Sequence, residues 1–283
     1  MIIRRNILLK IEEGDITDGT CIIPSGTVCI HDAAFRDCLG LKRLIIPKSV
    51  THIGNLAFWG CRNLKSIRLS ESLKFIGNAA FRGCESLEEI TFPKGLTSTG
   101  NVAFSGCTNL RTVIFQERGT RIKYNAFNSC PALTQIRQGN VYHTVKCIDD
   151  ICMRILWEKT KNGYTVFKCQ DFPAQSQTLW AAEKDGIAAY GTSLTGAIRN
   201  LDFKLLKDLP VDEHIARVQS QGYVTPMDYS MITGMEIRST DRFLNRKRMS
   251  WNAKWTVEEA ITLTEGEYGH ETFTKALHES GCI

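Results

Sequence analysis

The sequence lacks long hydrophobic runs and the signals that direct a chain into a membrane or out of the cell. No run of about 18 apolar residues occurs, so we expect no transmembrane helix and no membrane partner. The basic and then apolar N-terminus has neither a long hydrophobic region nor a small-residue cleavage site, so it is not typical of a signal peptide. Hydrophobic residues make up 43% and charged residues 23% of the 283 residues, which excludes a disordered chain, a collagen and a long coiled coil.

Common motifs of catalytic, nucleotide-binding and metal-binding sites are also absent. The sequence contains no P-loop, no Rossmann glycine pattern and no G-x-S-x-G, and it lacks the C-x-x-C and H-E-x-x-H spacings of zinc sites. His270 and His278 are each followed by Glu, but they are eight residues apart on one predicted helix, too far to share an ion without other ligands. We therefore predict a protein that is not an enzyme and that has no cofactor and no metal site.

Cys147 and Cys152 are the strongest candidates for a nucleophile, because His143 lies near them in the sequence. Both cysteines fall on predicted strands. Structural cysteines greatly outnumber reactive ones where the signal is this weak. We therefore interpret this pair as structural.

The cysteine content predicts a reducing compartment. Eleven cysteines are too few for a small disulfide scaffold. Five of them are 23 residues apart, and an odd, evenly spaced set is not typical of a disulfide framework. We predict that these five are buried free thiols, used as compact hydrophobic side chains in a cytoplasmic protein. They are Cys38, Cys61, Cys84, Cys107 and Cys130.

A 23-residue repeat occupies the first half of the chain. Ala-Phe pairs recur at 34–35, 57–58, 80–81, 103–104 and 126–127, and the period runs without insertion or deletion from about Gly19 to Arg137. Four of the five repeats end in an L-x-x-L-x-L spacing of apolar residues, which predicts a short strand with one apolar face. Stacked about 4.8 Å apart, such strands build a parallel ladder, and the Phe of each repeat should form a stacked spine inside it.

The phrases I-P-x-S-V-T-x-I-G, at residues 46–54, and A-F-x-G-C, at residues 57–61, resemble the BspA-type, or Treponema pallidum-type, leucine-rich repeat. The resemblance covers about residues 19–140. It implies a curved solenoid that binds ligands, usually proteins, without catalysis.

The second half, residues 141–283, has a different pattern. Strands are predicted at 141–148, 151–158, 163–169, 178–184 and 187–190, as an antiparallel meander. Helices are predicted after the caps Ser193, Thr225 and Thr256, and a last helix over 267–278. The fold class is therefore α+β: a five-repeat solenoid at 1–140 with an N-terminal capping strand, then an α+β domain. This half resembles uncharacterised C-terminal stretches that follow such repeats in bacterial and phage-like sequences. That resemblance does not point to any particular activity.

The strand residues that flank the inward positions should line the concave face, and we predict that they bind a protein partner. Their mixture of polar, cationic and aliphatic side chains suits a protein surface better than a phosphate backbone. One row is Arg43, Ser66, Glu89, Thr112 and Gln135, and the next is Ile45, Arg68, Thr91, Ile114 and Arg137.

A secondary basic site is the alternative. The stretch 238–255 interleaves arginines with tryptophans, a combination that can bind phosphates and stack on bases. On a helix from Asp241, Arg242 and Arg246 would share a face, with Arg248 and Trp251 close by. Residues 1–140 carry a net charge of +7, but a bias of this size is more often typical of a solvated surface than of a nucleic-acid-binding one. Residues 141–283, which contain the basic stretch, carry a net charge of −2. Nucleic acid is therefore not the partner that we expect.

The leading hypothesis is a cytoplasmic protein-interaction module, of which a phage or bacterial inhibitor or adaptor is one form. The alternatives are an enzyme of unknown class in residues 141–283 and a nucleic-acid-binding protein using 238–255. The sequence does not indicate an oligomeric state.

Overall fold

The computed structural model describes residues 1–117, 119–123, 125–161, 163–171 and 177–283. The chain forms two compact units, Met1–Ala182 and Glu183–Ile283. The predicted boundary between residues 140 and 141 lies inside the first unit, where the repeats pass into antiparallel strands.

Short strands form the repeats of the first unit, and longer strands follow them. They are β1 (Ile2–Arg4), β2 (Ile7–Lys10), β3 (Ile16–Thr17), β4 (Thr20–Ile22), β5 (Cys29–Ile30), β6 (Arg43–Ile45), β7 (His52–Ile53), β8 (Ser66–Arg68), β9 (Phe75–Ile76), β10 (Glu89–Phe92), β11 (Ser98–Thr99), β12 (Thr112–Phe115), β13 (Gln135–Gln138), β14 (Val141–Ile148), β15 (Ile151–Lys161), β16 (Tyr164–Asp171) and β17 (Thr178–Lys184), the last of which spans the division between the units.

The repeats form a β-solenoid with two sets of parallel strands. One set is β2, β5, β7, β9 and β11, with β1 added antiparallel at its edge. The other contains the strand that carries the inward Leu, Ile, Val or Cys of each coil, namely β4, β6, β8, β10, β12 and β13. Paired residues in a set are 23 apart, as Leu44 and Ile67 are. The second set begins one coil earlier than the five predicted repeats, because Cys21 occupies the place of the inward Leu and pairs with Leu44.

The predicted phenylalanine spine is confirmed. Phe35, Phe58, Phe81, Phe104 and Phe127 are all buried. Their rings stack in succession at centroid distances of 4.7, 4.9, 5.1 and 5.6 Å, within the range that favours aromatic pairs. This column is the centre of the solenoid core.

The repeat cysteines line the same core, with one exception to the prediction. All five are free thiols, and four of them are fully buried. Cys38 is partly exposed, because it lies in the first Ala-Phe-x-x-Cys segment and no earlier segment of that type covers it.

The hairpin of β14 and β15 covers the end of the solenoid. Strand β14 pairs antiparallel with β13, and Asp149 and Asp150 form the predicted two-residue turn into β15. The last coil bonds directly to this hairpin, since Ser129 N donates to Asp150 O over 2.9 Å and Cys152 N donates to Asn128 Oδ1 over 3.4 Å. The cap thus consists of the first residues after the repeats, and it keeps Phe127 out of water.

The second unit contains β18 (Ile187–Gly191) and six helices among its described residues. These are α1 (Leu194–Leu206), α2 (Val211–Gln221), α3 (Pro226–Thr233), α4 (Ile237–Lys247), α5 (Val257–Thr264) and α6 (His270–Glu279). The three predicted N-caps are confirmed, because the Ser193, Thr225 and Thr256 hydroxyls each accept a backbone hydrogen bond at a helix start. The core packs Tyr229 against Phe243 and Phe273.

Two helix boundaries differ from the prediction. Helix α6 begins at His270 and not at residue 267, because Gly269 adopts a left-handed conformation with φ of 82°. Tyr268 consequently precedes the helix, and its side chain is 73% exposed. Helix α4 begins at Ile237, four residues before Asp241.

A strand face with a central cleft as the candidate functional site

The predicted binding residues lie on one side of the strands, in the register that the repeat implies. Arg43 pairs with Ser66, and Ile45 pairs with Arg68. Thr112 pairs with Gln135, and Ile114 pairs with Arg137. The ten residues are exposed or partly exposed. Their placement agrees with the sequence pattern, and their role in binding stays a prediction.

The structure adds two residues at each end of these rows, which the repeat count did not include. Thr20 and Ile22 extend the rows on one side through pairing with Arg43 and Ile45. Tyr142 and Thr144 extend them on the other side, through antiparallel pairing with Arg137 and Gln135. The 23-residue spacing from Ile45 back to Ile22 was a usable signal. We call the ten predicted residues together with Thr20, Ile22, Tyr142 and Thr144 the strand face.

Apolar side chains are exposed at both ends of the strand face. Ile22 is 62% exposed and its paired neighbour Ile45 is 42% exposed. At the other end Tyr142 is 62% exposed beside Arg137. Exposed aliphatic and aromatic side chains beside arginines are typical of surfaces that bind proteins.

A cleft interrupts the strand face at its centre. Strands β8 and β10 belong to different sheets, although every other adjacent pair among the six strands is joined in a ladder. At this step the inward column changes from Leu69 to the larger Phe92, which stacks on Phe115 at 4.6 Å. A cleft of about 250 Å³ lies there. It is lined by Ile67, Arg68, Leu69, Glu71, Glu89, Thr91, Pro93 and Gln116.

The charged side chains of the strand face are not neutralised within the described part of the chain. Arg43, Arg68 and Arg137 form no ion pair with a described residue, and the same holds for Glu71 and Glu89 at the cleft. The Nε of Arg137 is buried and has no hydrogen-bond partner among the residues described. A buried donor without a partner is costly, so an acceptor brought by a binding partner would stabilise it.

In the alternative basic site, the arginines share a helix face but the tryptophans are engaged. Arg242 and Arg246 are exposed on α4, and Arg246 forms an ion pair with Glu267. The indole Nε1 of Trp251 donates to Asp241 Oδ1 over 2.6 Å. Trp255 is buried against Phe243.

A cation–π contact and the end of α4 lie in the surroundings of that site. The guanidinium of Arg199 lies 4.8 Å from the centre of the Trp251 ring. Arg248 is an exposed residue in a left-handed conformation that ends α4. The aromatic rings of this stretch are thus occupied by intramolecular packing, which disfavours base stacking.

The histidines and cysteines with possible chemical roles lie in separate places. His143 Nε2 contacts Gln138 Oε1 at 3.2 Å, and His270 Nδ1 contacts Thr264 Oγ1 at 3.1 Å. Cys147 and Cys152 face each other across the capping hairpin, and a hydrogen bond from Cys152 lowers the pKa of Cys147. The same contact, together with burial, raises the pKa of Cys152.

Metal and membrane features were sought only in the described ranges. Within them, no three His, Cys, Asp or Glu side chains gather as a metal site requires. No helix there has both the length and the apolar character needed to span a bilayer.

Comparisons with known proteins concern the repeats. The model of the BspA type leucine rich repeat region matches residues 19–146 in six copies. Among solved structures, a T. pallidum leucine rich repeat protein is 34% identical, with 43% of this chain and 59% of that chain covered and a TM-score of 0.42. A Bacteroides capillosus leucine-rich repeat protein is 28% identical, with coverages of 38% and 85% and a TM-score of 0.33.

The pneumococcal vaccine antigen PcpA is 20% identical, with coverages of 48% and 34% and a TM-score of 0.40. The chain thus spans 59% and 34% of the lengths of the T. pallidum and pneumococcal proteins. A search of curated proteins found no match. The six copies agree with the six successive strands β4, β6, β8, β10, β12 and β13 of the structure. The repeats of this protein, residues 19–146, therefore belong to the BspA-type leucine-rich repeat family.

Proposed function

We propose that this protein is a non-enzymatic interaction module that binds a protein partner through the strand face. Repeats of this family are commonly protein-interaction modules, which supports the general class. The observation that carries the choice of surface is a set of three arginines on the strand face, Arg43, Arg68 and Arg137, none of which forms an ion pair with a residue that the structure describes. Arginine is enriched among residues that dominate binding energy, because its planar guanidinium pairs with carboxylates and carbonyls.

The cleft gives this surface a place for a partner side chain. Arg68 and Glu89 lie on its lining, so it offers both a donor and an acceptor, and Ile67 and Leu69 supply apolar wall. A cleft of about 250 Å³ is smaller than the usual pocket for a drug-sized ligand. Its size suits one side chain of a protein better than a cofactor.

The dimensions of the strand face also favour a single protein segment. Seven strands, from β4 to β14, carry the strand face, and six steps of about 4.8 Å give a face roughly 29 Å long. That length matches one helix or one loop. Because strand residues are held by the ladder, their side chains lose little additional freedom on binding, which lowers the cost of association.

We further propose that the protein acts in a reducing cytoplasm. All eleven cysteines are free thiols, and four repeat cysteines are fully buried. A chain that folds with this many unpaired thiols is best suited to a compartment that keeps them reduced. Fractionation of the native host would test this, and recovery of the protein only from the cell surface would contradict it.

Capture with matched variants tests the binding surface. We expect Arg68→Glu with Arg137→Glu to abolish capture of the partner from the native host while the Tm stays nearly unchanged. The control is Arg82→Glu with Arg121→Glu, which makes the same charge change at exposed positions of the solenoid outside the strand face. Capture that survives the first pair, but is lost when Arg242 and Arg246 become Glu, would move the site to the second unit.

A further inference from the structure

We propose that Cys147 and Cys152 are a redox-active dithiol that closes to a reversible disulfide within the capping hairpin. The two residues occupy directly opposite positions on β14 and β15. The neighbouring Cys152 thiol is the main cause of the lowered pKa of Cys147. The inference concerns a modification site and does not depend on the proposed binding surface.

The turn of the hairpin places this pair at the type of position where a cross-strand disulfide fits. Asp149 and Asp150 both have positive φ, 50° and 63°, as in a two-residue type I′ turn. Ile148 and Ile151 next to the turn are then the hydrogen-bonded pair, so Cys147 and Cys152 form the following non-hydrogen-bonded pair. In such pairs the Cα atoms are about 4.5 Å apart, inside the range that a disulfide spans.

A separate hydrogen bond supports this assignment of the pairs. The backbone N–H of Cys152 donates to Asn128 Oδ1, on the last coil of the solenoid, over 3.4 Å. It therefore points away from β14, as expected for a residue in a non-hydrogen-bonded pair. The side chains of such a pair approach each other more closely than those of its neighbours.

The two thiols differ in ways that order the reaction. Cys147 is partly exposed, whereas Cys152 is fully buried. An oxidant from solution therefore meets Cys147 first. The hydrogen bond from Cys152 lowers the pKa of Cys147, which increases the fraction of nucleophilic thiolate. Cys152 is positioned to resolve the product.

The oxidant that we infer is a low-molecular-weight disulfide such as oxidised glutathione. The Cys147 thiolate attacks one glutathione sulfur, the glutathione S–S bond breaks, and one glutathione thiolate leaves. The Cys152 thiol then loses its proton and attacks Cys147 Sγ in the mixed disulfide, which releases the second glutathione. Two cysteine thiols are oxidised to one disulfide, and one glutathione disulfide is reduced to two thiols.

The ladder cysteines differ from this pair and serve as internal controls. Cys84, Cys107 and Cys130 are fully buried, and each donates its S–H to the carbonyl of a Phe in the preceding coil. Burial raises their pKa values well above the ordinary range, which suppresses the thiolate. We therefore expect Cys84, Cys107 and Cys130 to stay reduced in the folded protein under conditions that oxidise the hairpin pair.

The experiment equilibrates the full-length reduced protein with an excess of oxidised glutathione, quenches with acid, alkylates free thiols and maps the peptides. We expect a disulfide joining Cys147 to Cys152, reversed by reduced glutathione, and a loss of both thiols from the eleven initially free. In Cys152→Ala, a glutathione mixed disulfide should persist at Cys147. In Cys147→Ala, Cys152 should remain unmodified.

Three results would overturn the proposal. One is that Cys147 and Cys152 both remain free in the wild-type protein under these conditions. Another is a lasting glutathione adduct on Cys147 in the wild type, which would show that Cys152 does not resolve it. The third is a cross-link from Cys147 to Cys130. Because all three are read in the wild type, a variant that fails to fold does not weaken the test.

Discussion

The thiol of Cys107 donates a hydrogen bond to the backbone carbonyl oxygen of Phe81 in the preceding coil, over an Sγ–O distance of 3.2 Å. The same contact recurs from Cys61 to Phe35, over 3.0 Å, and from Cys84 to Phe58, over 3.3 Å. The repeated cysteine therefore does more than fill space, because it also satisfies a carbonyl beside the phenylalanine spine. Cys147 continues the series from the capping hairpin through a longer contact with Phe127 O, at 3.7 Å.

Replacing a ladder cysteine should destabilise the solenoid by an amount that depends on the substituent. Cys107→Ala removes the hydrogen bond and leaves a small void, so we expect a loss of about 1–2 kcal/mol. Cys107→Arg places a charge in a dry core and should cost several kcal/mol or prevent folding. Urea denaturation measures both. Cys38→Ala, at a partly exposed position, is the matched control, and an equal effect there would contradict the account.

The stability of the folded chain should fall at alkaline pH. Burial raises the pKa of Cys61 from 9.0 to about 12, and it also raises those of Cys84 and Cys107 well above 9.0. Between pH 9 and 12 the unfolded chain ionises these thiols while the folded chain keeps them protonated, so the free energy of unfolding decreases as pH rises. Each thiol should contribute about 1.4 kcal/mol per pH unit in this window.

The measurement is urea denaturation at pH 8 and at pH 10. Comparison with Cys107→Ala separates the thiols from the other groups that titrate at alkaline pH. The variant should lose less stability than the wild type between these two pH values. An equal loss in both proteins would show that Cys107 is not protonated in the folded state as described.

Glycine at position 77 should be irreplaceable because the coils approach each other closely there. A Cβ on Gly77 would lie 2.5 Å from the backbone N of Asn55 and 2.5 Å from the carbonyl carbon of Gly54. Because these are backbone atoms, the coils would have to separate, and we expect Gly77→Ala to cost about 2–4 kcal/mol. Gly14→Ala is the control, since nothing lies within 4 Å of its Cβ position. Comparable Tm values for the two variants would refute the prediction.

The two capping boxes of the second unit should differ in strength. Thr225 bonds the backbone N–H of Asp228, whose carboxylate is buried and accepts from Thr225 N over 2.8 Å and from Thr225 Oγ1 over 2.6 Å. In an exposed setting, Thr256 N donates to the Glu259 carboxylate over 2.8 Å, and Glu259 N donates to Thr256 Oγ1 over 3.1 Å. We expect Thr225→Ala to cost about 2 kcal/mol and Thr256→Ala about 1 kcal/mol, measured by urea denaturation.

The burial of the repeated residues was predictable, because the same positions are apolar in every 23-residue repeat. Phe58 and Leu64 recur every 23 residues, and a solenoid gives each copy the same surroundings, so one repeat describes them all. The turn at Asp149 and Asp150 was equally readable, because its residues favour positive φ. The caps Thr225 and Thr256 follow the same local logic.

Features that depend on the packing of different side chains against one another were not predictable from the sequence. The cleft between β8 and β10 occurs although the period runs through it unbroken, and it coincides with the change from Leu69 to Phe92. The late start of α6 reflects the close approach of Gly269, where a Cβ would lie 2.6 Å from Thr233 Cβ. The contact of Trp251 with Asp241 likewise joins residues that no local pattern links.

Site-specific photo-crosslinking in the native host tests the central claim, that the strand face binds the partner, most directly. A photoreactive amino acid at Ile45 or Thr91 would sample the strand face. At Arg82 it would sample an exposed position elsewhere on the solenoid, and at Arg242 it would sample an exposed position on α4. We predict one common protein adduct from Ile45 and Thr91 and none from the other two positions. An adduct from Arg242 alone, or from Arg82 alone, would contradict the account.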